Sequence, residues 1–130
     1  MTIQEHIEYW IRSSNDDFEV FNLLLNAEKY LHCLFIGHLC LEKLIKAHWV
    51  KDNSNSVPPK IHNLITLLKQ TNLKLDKEYL IFLTQLNDFQ IEGRYPDYKF
   101  KILKLLTKDY VNNILPTFYA VRECLITSII

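Results

Sequence analysis

The sequence predicts an all-α protein, an up-and-down bundle of about five helices, and three observations predict it. Bulky apolar residues recur every third or fourth position through most of the chain, which is the period of one helix face. Glycine is scarce, with 2 residues in 130, whereas small β domains use Gly, Asn and Pro in many tight turns. The segments between the apolar stripes are short, which sets neighbouring helices antiparallel.

The first stripe runs from about Thr2 to Asn26. Ile7, Trp10, Ile11, Phe18, Phe21 and Leu25 face one side, and Glu5, Glu8, Asp16, Asp17 and Glu19 fall mostly off it. This is an amphipathic helix, with Ser13-Ser14-Asn15 as a point where it could break in two. The second runs from about Tyr30 to Lys51 on Tyr30, Leu34, Leu41, Leu44, Ile45 and Trp49, widened by Cys33, Ile36, Gly37 and Cys40. A helix this apolar belongs at the centre of the bundle. Gly37 costs about 1 kcal/mol in a helix interior, and close approach of a partner helix would offset it.

Asp52-Asn53-Ser54-Asn55-Ser56-Val57-Pro58-Pro59 is the clearest loop, polar and closed by two prolines that cannot continue a helix. A short helix follows around His62 to Gln70. Asp76 is placed to cap a fourth helix reaching about Ile91, with Tyr79, Phe82, Leu83, Leu86 and Phe89 as its stripe. Gly93-Arg94-Tyr95-Pro96-Asp97 interrupts the pattern. Tyr98 to Leu106 reads as either extended or loosely helical. Thr107 can cap a last helix reaching nearly to Ile130 on Tyr110, Ile114, Phe118, Val121 and Leu125, with a kink expected at Pro116.

The chain length suits one domain spanning residues 1–130. Fifteen basic and fifteen acidic residues cancel, so no global field gathers nucleic acid, although a local basic patch is compatible with that balance. Three cysteines without a CxxC pair and a start without a basic, apolar leader point to a reducing, cytoplasmic setting. No apolar run reaches the roughly 18–20 residues of a membrane span. There is no P-loop, GxGxxG, HExxH or GxSxG, and the five histidines show no metal-ligand spacing beyond helical chance. No cofactor or metal is expected.

Three polar clusters could carry chemistry. His38, Glu42 and Lys46 stand four residues apart on the second helix and share a face. They form either a polar group aimed at a cleft or a ladder that solubilises one side. Glu92-Gly93-Arg94-Tyr95-Pro96-Asp97 ends the fourth helix. Arg94 suits a phosphate and Tyr95 offers a ring and a hydroxyl. Alternatively, Arg94 satisfies the last helix carbonyls or pairs with Asp97. In Pro58-Pro59-Lys60-Ile61-His62-Asn63, His62 either enters a site or caps the helix that follows.

Four segments together resemble the HEPN domains (higher eukaryotes and prokaryotes nucleotide-binding). Glu8-Tyr9-Trp10-Ile11 with Asn15-Asp16-Asp17-Phe18 is similar to their first helix. The stretch from Phe35 to Ala47, FIGHLCLEKLIKA, resembles their second. Pro58-Pro59-Lys60-Ile61-His62-Asn63-Leu64 resembles a Pro-Pro-x-x-His-Asp-Leu junction, and the stretch from Asn87 to Tyr98 resembles a prokaryotic branch with an Arg-Tyr-Pro-Asp signature. The four lie in order over nearly the whole chain.

The resemblance implies a bundle that homodimerises and associates with RNA or nucleotides. It also implies a minimal nucleotidyltransferase as partner, in a toxin–antitoxin-like pair. Ribonuclease members carry Arg-x4-6-His. Here Arg94 is followed by Tyr95, Pro96, Asp97, Tyr98, Lys99, Phe100 and Lys101 with no histidine, and neither Arg12 nor Arg122 has one four to seven residues on. Asn63 stands where the family has Asp, and Gly93 where it has Ala. A binding module is therefore expected ahead of an enzyme, with Arg94, Tyr95, His38, Glu42, Lys46, His62 and Asp97 as ligand or partner contacts. The competing expectations are a metal-independent ribonuclease toxin with a non-standard site and a structural oligomerisation domain.

Overall fold

The computed structural model describes residues 1–90 and 95–129. Among these residues the chain forms helices α1 (Ile3–Asn26), α2 (Tyr30–Asn53), α3 (Leu64–Leu68), α4 (Lys77–Leu86), α5 (Pro96–Leu105) and α6 (Lys108–Thr127), with a 3-10 turn at Asn87–Phe89 and no strand. This is the all-α bundle read from the periodicity, with one helix more than expected.

The extra helix is α5. Pro96 sits at its first position, where a missing N–H costs nothing and the fixed φ favours helix entry. Ile102 of α5 is buried, and that anchor resolves the ambiguity of Tyr98 to Leu106 in favour of helix. The fourth helix ends earlier than expected. It tightens at Asn87 into the 3-10 turn, and Gln90 is extended, because the Asn87 side chain is tied to α2 and α3 rather than left on a helix surface. α6 runs through Pro116 as one element, and Thr107 caps it by accepting from the Tyr110 N–H.

α1 begins with a capping box, in which Thr2 accepts from the Glu5 N–H and the Glu5 carboxylate accepts from the Thr2 N–H. It does not break at Ser13-Ser14-Asn15. Ser14 is buried and its hydroxyl donates to the Cys40 carbonyl at 2.7 Å, so a residue that reads as a helix breaker serves as a link between α1 and α2. The turn between those helices is closed by Lys29 N–H donating to the Leu24 carbonyl and Glu28 N–H to that of Leu25. Glu28 takes the left-handed conformation (φ 58°) that usually falls to glycine at such a helix end.

α2 is the central helix, with fourteen of its 24 residues buried. Gly37 faces the stacked rings of Phe21 from α1 and Phe118 from α6, whose centroids lie 4.4 Å apart at 13°. A Cβ at position 37 would stand 3.0 Å from Phe21 Cε2 and 3.1 Å from Phe118 Cε2. The missing side chain thus admits two aromatic rings. Nearer the C-terminus of α2, His48 donates from Nε2 to the Leu125 carbonyl of α6 at 2.8 Å. Cys33 and Cys40 are buried free thiols, and burial pushes the Cys33 thiol up to about 12, which makes it an inert core residue. No helix among the described residues is long and apolar enough to cross a membrane.

Candidate functional site

Four-residue spacing puts His38, Glu42 and Lys46 on one face of α2. That face is covered by the loop before α3 and by the turn after α4, so all three residues are buried. The alternative in which they solubilise an exposed side is therefore corrected. Glu42 is 3% exposed and His38 is fully buried.

A buried carboxylate needs compensation, and Glu42 has two sources. Lys46 Nζ donates to Oε2 at 3.0 Å, and His62 Nδ1 lies 3.1 Å from Oε1 and 3.3 Å from Oε2. The Lys46 ammonium also rests 5.5 Å from the centroid of the Trp10 ring on α1, a favourable cation–π position.

The expectation that His62 caps the next helix is corrected. Asn63 is the cap, its Oδ1 accepting from the N–H groups of Ile65 at 3.0 Å and Thr66 at 3.1 Å. A short amide suits that geometry, and the imidazole one residue earlier is left free to turn toward Glu42. An ionised carboxylate can only accept, so Nδ1 of His62 carries the proton of this bond. The His62 side chain remains 52% exposed, which leaves Nε2 as the outward atom of the cluster.

His38 is positioned by Asn87, a residue the sequence reading did not single out. Asn87 Oδ1 accepts from the Leu64 backbone N–H at 2.9 Å, which fixes which end of the amide is oxygen. His38 Nε2, 3.3 Å from the same oxygen, is therefore the donor. Asn87 Nδ2 in turn donates to Asn63 Oδ1 at 3.3 Å. The remaining His38 nitrogen, Nδ1, has no hydrogen-bond partner among the described residues and faces Glu42 Oε1 across 3.7 Å. Burial lowers the basicity of His38 against the opposing pull of Glu42.

The structure thus brings together His38, Glu42, Lys46 and His62, with Trp10, Asn63 and Asn87 around them. It does not bring Asp97 or Tyr95 into contact with them. Asp97 is exposed in the first turn of α5, and Tyr95, the α5 N-cap residue, is 83% exposed with its ring open to solvent. Arg94, and with it the Arg94–Asp97 pairing, lies outside the described residues. The sequence pattern sets Asn87 inside the fourth helix, at the start of the stretch with the Arg-Tyr-Pro-Asp signature, and nothing in it shows that the amide reaches α2 and α3. Trp10 was visible as a core residue, but not as the ring beneath Lys46.

Chemically, the cluster holds one carboxylate, one ammonium and two imidazoles, and the half-exposed ring, His62, has a second nitrogen, Nε2, that Glu42 does not engage. Neutral, that nitrogen accepts from an N–H or O–H. Protonated, it donates to an anion. Comparison with known families finds that the HEPN domain model matches residues 7–128. No curated protein and no solved structure matches the chain.

Proposed function

Because the chain belongs to the HEPN domain family, whose members have a nucleotide- or RNA-related role, we propose that it is a nucleotide- or RNA-associated binding module of a two-component, toxin–antitoxin-like system. It works as a homodimer alongside a minimal nucleotidyltransferase. The observation that supports this reading most is the half-exposed His62 ring, held by Glu42, on a cluster whose charges are otherwise paired off inside the fold. Such a ring contributes one directional contact to a ligand. Arg94 supplies phosphate-directed charge, and the exposed Tyr95 ring supplies a stacking face.

The test is binding of ATP and of a fluorescent single-stranded RNA to the purified chain. Arg94→Ala should weaken one of these probes about tenfold or more, as loss of a charged hydrogen bond does, with the melting temperature nearly unchanged. His62→Ala should weaken one as much while also lowering the melting temperature, because it removes a partner of buried Glu42. Unaltered affinity in both variants would sink the reading. A large fall in melting temperature in Arg94→Ala would instead favour a structural oligomerisation domain.

One observation favours a second reading, a metal-independent ribonuclease with a non-standard site. Glu42 fixes the His62 tautomer with Nε2 outward, which is how a general base is presented to a hydroxyl. The missing Arg-x4-6-His motif counts against it. Under this reading, RNA should be cleaved in the presence of a chelator, and both His62→Ala and Arg94→Ala should abolish cleavage. Intact RNA at high protein concentration would exclude it.

A further inference from the structure

A second site lies on different residues. Between α3 and α4 runs a groove of about 470 Å³, within the roughly 300–1,000 Å³ range of small-molecule sites. Its apolar lining comes from Ile65 and Leu68 of α3, Leu73 and Leu75 of the connector, and Leu80 and Ile81 of α4. Ile81 is exposed although it sits among these side chains. Three lysines, Lys69, Lys74 and Lys77, line the same groove, and no carboxylate does. None of the three forms an ion pair among the described residues. Asp76 and Glu78 flank Lys77 in sequence but do not line the groove.

The connecting wall is fixed in advance. Trp49 Nε1 donates to Gln70 Oε1 at 3.0 Å, Asn53 Nδ2 to the Gln70 carbonyl at 3.0 Å, and the Asn72 N–H to Asp52 Oδ2 at 2.7 Å. Thr71 donates to the Leu68 carbonyl at 2.7 Å. Residues 70–72 are thus anchored to the end of α2. A prearranged apolar trough lowers the ordering cost of binding. The unpaired lysines specify the sign of the ligand, and three of them suit a doubly charged head better than a single carboxylate.

We infer that the α3–α4 groove is a binding site for a free, single-tailed amphiphile with a phosphate head, the alkyl tail lying on Ile65, Leu73, Leu80 and Ile81 and the phosphate among Lys69, Lys74 and Lys77. It shares no residue with the His38–Glu42–His62 cluster and does not depend on the binding reading given above.

The experiment titrates the full chain with hexyl, octyl and decyl phosphate below their micelle concentrations, by calorimetry and by backbone amide shifts. Affinity should rise about three- to fourfold per methylene, the increment of one buried CH₂, until the groove is filled. Shifts should be confined to α3, residues 69–75 and α4. The triple variant Lys69→Gln/Lys74→Gln/Lys77→Gln, checked for folding by circular dichroism, should lose at least tenfold, and so should Ile81→Asp. Arg94→Ala should bind like the parent chain, which separates failure here from failure of the nucleotide reading. Equal binding of decanol or of inorganic phosphate would overturn the assignment, as would shifts centred elsewhere. Concentration-dependent self-association that the triple variant abolishes would give the groove to a second copy and overturn it too.

Discussion

Gly37 and His38 are neighbours on one helix, yet they look into two differently built halves of the molecule. Gly37 faces the stacked rings of Phe21 and Phe118, where volume decides what fits. His38 faces Glu42, Asn87 and the loop before α3, where charge and hydrogen bonding decide. The aromatic side tolerates no added carbon without a shift. The polar side tolerates no removed partner without leaving a buried charge. A single turn of α2 thus joins a region that only stabilises to one suited to contact a ligand.

The largest expected effect tests the aromatic side. Phe118→Ala should cost about 3–5 kcal/mol by deleting a fully buried ring, measured by urea unfolding. A loss near 1 kcal/mol would mean the seam collapses around the gap and the contrast is overdrawn. On the polar side, Glu42→Ala should cost about 3 kcal/mol because it strands Lys46 in a largely buried place. The double variant Glu42→Met/Lys46→Met should recover most of that, since removing both charges removes the desolvation cost as well. If the double variant is as unstable as the single, packing rather than charge governs that half.

Gly37→Ala comes next. Its helix-propensity gain of up to about 1 kcal/mol opposes overpacking of about 1–3 kcal/mol against the two rings, so a net loss of about 1 kcal/mol is expected. A net gain would show that the rings move aside easily. The smallest effect is in pH. Burial lowers the basicity of both His38 and His48. Below the ordinary histidine value of 6.5, the unfolded chain binds protons that these folded rings refuse. Stability should therefore fall as pH drops from 7 toward 5. A flat profile in chemical denaturation would show that both rings take up protons in the folded state as readily as in the unfolded chain.

Much of the bundle was legible because helix periodicity is local. Phe21, Leu41, Leu83 and Phe118 declare their faces within a few residues, and Thr107 announces its helix. What the pattern could not carry was where a polar side chain finds its partner. Ser14 reads as a break until Cys40, twenty-six residues later, supplies an acceptor. Likewise, His38, Glu42 and Lys46 could be set on one face from spacing alone, but their burial depends on His62 and Asn87 arriving from other elements. Of the two tasks open to His62, capping falls to Asn63, whose short amide is better shaped for it. The ambiguous stretch from Tyr98 to Leu106 became helical because Pro96 starts it and Ile102 finds the core.

The three-residue turn held by Glu28 also sets an order of events. Two long helices joined so tightly can pair first beside the turn, across only a few residues, and extend the pairing outward, and contacts closed by short loops form early in folding. The pocket-like half needs Asn87 to reach back forty-nine positions to His38, a late and entropically dearer closure. Pulsed hydrogen exchange during refolding should protect α1 and α2 before α3. The surface proposed to meet a ligand would then be the last part of the protein to exist, and the first to dissolve when the fold loosens.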